Sequence, residues 1–163
     1  MKVKELMSKK LTTVSPNDKL DRVFFLYNFE NFRHLPVVEN NKLVGILSDR
    51  DLKKILGPKK TIVENPDGTT VQLSTRRVKN IMRRGVMTIE PEQRAADAAA
   101  IMAKNKIGAL PVVHKKKLVG IITATDILKA FVKLRNDLDK IWRGKFHEKL
   151  VHAVSHRTRP AQH

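Results

Sequence analysis

Short runs of aliphatic and β-branched residues, none longer than a strand, set the rhythm of this chain. Residues 35–38 and 43–47 are split by Asn40-Asn41, and a second pair occupies 110–114 and 118–122. Two apolar runs joined by a two-residue polar turn predict a hairpin. Upstream of the first pair, a short helix is expected near residues 3–7 and an extended stretch at 11–14. Ser15-Pro16 then supplies an N-cap and a proline at the first helical position, predicting a helix to about Asn31. A further helix from Asp49 to about Leu56 closes the unit before Gly57-Pro58. In the second half an alanine-rich helix over 92–105 precedes the strand pair. Between the halves, Asn65-Pro66-Asp67-Gly68 suits a type I turn, so a projecting hairpin is expected over 61–73. Downstream, Leu134, Leu138, Ile141, Trp142, Phe146, Leu150 and Val154 recur at three- and four-residue steps, the mark of an amphipathic helix. Gly144 is a place for it to bend, and the chain beyond Arg157 is expected to fray.

The two halves are copies. Shifting the sequence by 75 residues lays Leu35-Pro36-Val37-Val38 on Leu110-Pro111-Val112-Val113, and Lys42-Leu43-Val44-Gly45-Ile46 on Lys117-Leu118-Val119-Gly120-Ile121. Val3, Met7, Thr13, Pro16 and Asp51 fall on Val78, Met82, Thr88, Pro91 and Asp126. Identities at both ends of the stretch imply duplication of a whole supersecondary unit. The expected architecture is therefore α/β: two β-α-β-β-α units at 1–59 and 78–132, a linker hairpin at 60–77, and a basic helical tail at 133–163.

Composition narrows the field. The length of 163 residues and 41% hydrophobic content suit a chain with a real core. Cysteine is absent, which excludes disulfides and thiolate zinc sites and suits a reducing cytosol. No apolar run reaches membrane-spanning length, and the opening residues form an amphipathic segment, not a signal peptide. The net charge of +17 is spread through both units and the tail. Such a field concentrates anions such as nucleotides, nucleic acid or an acidic partner; equally, it serves as a solubilising lysine surface.

The second strand of each unit ends in a matched phrase, Ser48-Asp49-Arg50-Asp51 in one and Thr123-Ala124-Thr125-Asp126 in the other. A hydroxyl followed three residues later by a carboxylate caps helices. The same geometry also presents free backbone N–H groups to a phosphate and a carboxylate to the hydroxyls of a ribose. Spacing alone leaves both readings open. Nothing else competes for chemistry: there is no glycine-rich phosphate loop, cysteine nucleophile or paired acidic cluster, so an enzyme is not expected. His34 and His114 flank the strand pairs and read as structural. His152 and His156, with Glu148, have a spacing that permits a divalent metal, but solvated histidines are the expected reading and no metal is assigned.

The phrases Leu35-Pro36-Val37-Val38…Leu43-Val44-Gly45-Ile46-Leu47-Ser48-Asp49-Arg50-Asp51-Leu52 and Ile107-Gly108-Ala109-Leu110-Pro111-Val112-Val113…Leu118-Val119-Gly120-Ile121-Ile122-Thr123-Ala124-Thr125-Asp126-Ile127 resemble CBS (cystathionine-β-synthase-type) domains. A pair of this size is similar to small stand-alone CBS proteins, including the acetoin-utilisation type. The resemblance implies two repeats paired by pseudo-twofold symmetry, a Bateman module, with clefts for AMP, ADP, ATP or S-adenosylmethionine as regulatory ligands. Carried over, one cleft takes Ser48, Arg50 and Asp51 with Met87, Ile107 and Gly108. The other takes Thr123, Thr125 and Asp126 with Thr12, Phe32 and Arg33. Gly108 leaves room for a base in the first cleft, whereas Phe32 and Arg33 bring bulk to the second. The resemblance also implies a homodimer, and the output of so short a chain is expected to act on a separate effector protein or on nucleic acid. The rival expectation is nucleic-acid binding through the basic runs Arg76-Arg77, Arg83-Arg84 and Lys115-Lys116-Lys117. Against it stands an aromatic content of 5%, which offers few stacking platforms.

Overall fold

A computed structural model of the chain describes residues 1–30, 32–56 and 76–155, except the side chains of 55–56 and 144–155. The linker hairpin expected over 61–73, the end of the tail, and the side chains of Phe146, Glu148, His152 and His156 lie outside the described residues. The chain divides into two compact units, Met1–Ala124 and Thr125–His163.

The first unit contains both repeats except the last helix. α1 (Val3–Leu6), α2 (Leu20–Phe29), β1 (His34–Glu39), β2 (Lys42–Ser48) and α3 (Asp49–Leu56) come from the first repeat. A 3₁₀ turn (Val78–Asn80), α4 (Ala95–Asn105), β3 (Ala109–His114) and β4 (Lys117–Thr123) come from the second. Each strand pair is an antiparallel hairpin, with a bulge at Val37/Val38 in one and at Val112/Val113 in the other. The hairpin turns put Asn40, Asn41, Lys115 and Lys116 in the left-handed region, at φ 48°, 60°, 48° and 66°. A right-twisted two-residue hairpin demands that region, which asparagine tolerates better than lysine.

The repeats exchange their opening segments. Ser8 pairs with Ile121 of β4, and Arg83 pairs with Ile46 of β2. Lys2 bridges Arg94, and Lys19 bridges Arg77; Val14 adds a parallel contact to Val37, as Ile89 does to Val112. Every one of these bridges has a mate displaced by 75 residues, so the sequence period is also the pseudo-symmetry of the fold. The core follows the exchange. Val78 and Met82, from the start of the second repeat, pack into one buried cluster with Val14, Leu20, Val23, Leu35, Val37, Leu47 and Leu52 of the first.

Glycine makes the crossing possible. A Cβ on Gly45 would lie 2.8 Å from Met82 Sδ and 3.0 Å from the Arg83 carbonyl oxygen. On Gly120 it would meet Met7 Sδ at 2.5 Å and the Ser8 carbonyl oxygen at 3.0 Å. The repeated Leu-Val-Gly-Ile phrase thus marks where a strap from the other repeat lies on the strand.

Three boundaries differ from the sequence reading. α2 begins at Leu20, not at Pro16, because Ser15-Pro16-Asn17-Asp18 closes a turn of its own. There Asp18 N–H donates to the Ser15 carbonyl at 3.0 Å, and the Asp18 carboxylate accepts from Ser15 N–H at 2.8 Å. α4 likewise begins at Ala95, since Glu90 N–H donates to Gln93 Oε1 at 2.8 Å across the Pro91 turn. The stretch at 11–14 contributes only the Val14 bridge rather than a strand. The second unit holds α5 (Ala124–Ser155, its first residue belonging to the first unit), one helix where a repeat-ending helix and a separate tail were expected, and its assignment continues through Gly144. Among the described residues, no helix is long and apolar enough to cross a membrane.

Candidate functional site

The end of β2 and the first turn of α3 carry the chemistry of the first repeat. The strand register sets Ser48 opposite His34, and Asp49 N–H donates to the Arg33 carbonyl oxygen at 3.1 Å, which turns the chain into α3. One turn in, Asp51 is the buried charged residue of the core. Its Oδ2 accepts from Ser48 N–H at 3.0 Å and from Ser48 Oγ–H at 2.6 Å. Its Oδ1 accepts from Arg83 Nε at 3.0 Å and Nη2 at 2.9 Å. The Ser48/Asp51 spacing is therefore a helix cap, as one of its two sequence readings held. The Arg83 contact is additional and crosses from the other repeat.

Burial works against charge on Asp51, but the hydrogen bonds from Ser48 and Arg83, with the Arg83 charge, outweigh it. The carboxyl is held below its usual range. Tyr27, on α2, feels the same carboxylates. Burial, joined by the charges of Asp51 and Asp49, pushes its phenol above the ordinary range. Its hydroxyl is buried and has no hydrogen-bond partner among the described residues.

Gly108 sits against His34: a Cβ added to it would lie 3.2 Å from both Cε1 and Nε2 of the imidazole. The carbonyl oxygen of Gly108 accepts from Ala124 N–H at 3.0 Å, the mate of the Asp49–Arg33 bond. Ile107 is half-buried, while Met87 and Arg50 are exposed. Among the counterparts, Thr12 and Thr123 are half-buried and Arg33 is exposed. Phe32 turns inward and packs against the core of its own repeat. Thr125 is exposed and Asp126 half-buried, both in the first turn of α5 within the second unit. Ser48, Asp51, Arg33, His34 and Gly108 are thus tied to one another by direct or one-step contacts. Arg83 and Tyr27 join them although the sequence offered no such role: Arg83 read only as part of a basic run. Among the described residues, no group of three or more His, Asp or Glu side chains is placed to hold a metal.

His34 carries a pH prediction. Burial disfavours its imidazolium, and although the Asp49 and Asp51 charges favour it and those of Arg50 and Arg33 oppose it, the net result is a value below 6.5. The folded state therefore prefers neutral His34. The stability this confers is complete above pH 6.5 and is lost as pH falls from there through the lowered folded value. In an NMR titration the His34 Cε1–H resonance is expected to move with a midpoint under 6.5; a midpoint at or above 6.5 contradicts this.

Two straps exchanged about a pseudo-twofold axis, each laid beside a strand whose sequence runs on into a hydroxyl-x-x-carboxylate phrase, define a tandem-repeat α/β module. The family model for the CBS domain matches residues 3–57 and 78–133, and the chain belongs to the CBS-domain family. It is 35% identical over 134 residues to the CBS domain-containing protein DDB_G0289609 of Dictyostelium discoideum, covering 81% of this chain and 92% of that one. It also matches a longer protein of Methanocaldococcus jannaschii, MJ1232, of which it spans 39%. Among solved structures, the CBS domain pair of protein MJ0100, in complex with 5′-methylthioadenosine and S-adenosyl-L-methionine, is 29% identical with a TM-score of 0.68. That match covers 82% of this chain and 97% of that one. AcuB from Vibrio cholerae, assigned to acetoin utilization, is 29% identical with a TM-score of 0.69, covering 86% and 96%.

Proposed function

We propose that this chain is a regulatory sensor that binds an adenine ligand (AMP, ADP, ATP or S-adenosylmethionine) between its two CBS repeats, and that it is not an enzyme. The observation that carries the reading is Asp51. It is a buried carboxylate kept charged at the start of α3, beside a strap from the opposite repeat. A carboxylate so placed accepts the hydroxyls of a ribose, and Gly108, lacking a Cβ, lets the flat His34 imidazole lie against the backbone beside it. That a 29% identical pair, MJ0100, is complexed with two adenosine derivatives supports the same chemistry here. Ligand bound between exchanged straps favours one arrangement of the repeats over another and shifts the population, which a separate effector protein reads.

The working form is proposed to be a homodimer. On α5, Phe131, Leu134, Leu138 and Ile141 recur at three- and four-residue steps, and each is more than 40% exposed. An apolar stripe of that length is more than a monomer usually leaves to water.

Calorimetric titration with AMP, ATP, S-adenosylmethionine and a short DNA duplex, at two salt concentrations, tests the sensor. Mononucleotide or S-adenosylmethionine binding that changes little with salt is expected. Duplex binding that collapses with salt, with no heat from the small ligands, makes the +17 charge the functional feature instead. Light scattering on the same sample is expected to give twice the chain mass; a monomer mass removes the dimer from the proposal.

A further inference from the structure

We infer that Arg83 makes the Ser48/Asp51 cleft selective for phosphorylated adenine nucleotides over neutral or cationic adenosine derivatives, by passing from the Asp51 carboxylate to a ligand phosphate. The inference rests on the adenine-ligand reading of this cleft and says which members of that class it takes.

The Asp51 carboxylate is full. Ser48 N–H and Oγ–H occupy Oδ2, at 3.0 and 2.6 Å, and Arg83 Nε and Nη2 occupy Oδ1, at 3.0 and 2.9 Å. A carboxylate offers about four lone-pair sites, so a ribose is accepted only if a donor leaves. The Ser48 donors are fixed, one a backbone N–H and the other a hydroxyl on the same turn. Arg83 is the partner that can move: its side chain is 55% exposed, against 10% for Asp51. Its backbone, however, stays on β2, since Arg83 N–H donates to the Ile46 carbonyl at 2.9 Å and Ile46 N–H returns a bond to Arg83 at 3.0 Å. A displaced guanidinium therefore remains tethered at the mouth of the cleft.

What it meets there decides affinity. A ribose diol replaces two charge-assisted bonds on Oδ1 with two neutral ones, and the guanidinium loses its anion. A phosphate on the same ligand restores that pairing in the planar, two-pronged geometry that arginine favours. Adenosine offers only water in exchange, and the sulfonium of S-adenosylmethionine adds a second positive charge nearby. The selectivity belongs to one cleft. By the 75-residue period the counterpart of Arg83 is Ser8, a short neutral side chain whose Oγ–H donates to the Lys10 carbonyl at 3.2 Å.

The test compares AMP with adenosine by calorimetry on the full chain and on Arg83→Ala and Arg83→Lys. In the unaltered chain AMP is expected to bind at least about tenfold more tightly than adenosine, the scale of one restored charged pair. In Arg83→Ala adenosine should bind more tightly than before and AMP less tightly, bringing the two to within about threefold. Arg83→Lys, charged but without the fork, should fall between. An unchanged AMP-to-adenosine ratio in Arg83→Ala overturns the inference, as does adenosine weakening in step with AMP, which would make Arg83 a prop for the cleft. If neither ligand binds the unaltered chain while it is folded, the adenine-ligand reading itself falls and takes the selectivity with it.

Discussion

Replacing Asp51 with alanine is expected to weaken adenosine binding by about 2–3 kcal/mol, the scale of hydrogen bonds to a buried charged group. That is a loss of roughly 30- to 150-fold in affinity. Two opposing consequences of the substitution can be separated. The ribose loses its acceptor, which affects every adenosine derivative alike. At the same time Arg83 loses the carboxylate it now holds at 2.9 Å and is free for a phosphate from the outset. Both ligands break the Arg83–Asp51 pair in the unaltered chain and neither does in the variant, so AMP and adenosine should weaken together and their ratio should hold, unlike in Arg83→Ala. The fold should survive, because Arg83 is half in water and the cap contributes only about 1 kcal/mol. Asp126→Ala is expected to cost less at the tighter binding event. Calorimetry on both variants, with circular dichroism as the check on folding, decides the matter. If Asp51→Ala leaves the tighter event intact and Asp126→Ala abolishes it, the assignment of the principal cleft is reversed.

What could be read from the chain beforehand depended on how local the determining interaction is. The hairpins were legible because Leu35-Pro36-Val37-Val38 and Leu43-Val44-Gly45-Ile46 are strand-forming runs around a two-residue turn, and their bounds moved by only a residue or two. The duplication was legible because it is a property of the sequence itself, and the isolated bridges among the described residues respect its period. The helix starts were not. Pro16 looks like a first helical residue and the second helix was expected from Glu92, but side chains three positions from the turn start, Asp18 and Gln93, close turns that postpone α2 and α4. The Ser48-x-x-Asp51 cap was legible as a motif, and its hydrogen bonds have the expected partners. Arg83 was hidden for a different reason. Its partner lies 32 positions away in the other repeat, and only the exchange of straps, visible once Gly45 is seen to face Met82 and Arg83, brings the two together. The buried Tyr27 hydroxyl has no local signature at all.

Gly45→Ala is expected to destabilise the fold and to loosen the selectivity of the Asp51 cleft in one stroke. The added Cβ would sit 2.8 Å from Met82 Sδ and 3.0 Å from the Arg83 carbonyl oxygen. The sulfur is partway along a side chain packed in the core, and the oxygen belongs to backbone bonded to Ile46 at 3.0 Å, so neither can yield without lifting the strap. Overpacking of this kind costs about 1–3 kcal/mol, which for a chain of this size lowers the melting temperature by about 2–12 °C. Lifting the strap also draws Arg83 off Asp51, so the AMP-to-adenosine ratio should drop toward that of Arg83→Ala. Gly120→Ala separates the two effects. Its Cβ meets Met7 and Ser8 in the same way, so a comparable fall in melting temperature is expected, but Arg83 keeps its place and the ratio should stay near that of the unaltered chain. If Gly45→Ala melts where the unaltered chain does, the strap is not held as tightly as these distances require. If both variants lose selectivity equally, the loss comes from general loosening, and Arg83 is not what couples the crossing to the cleft.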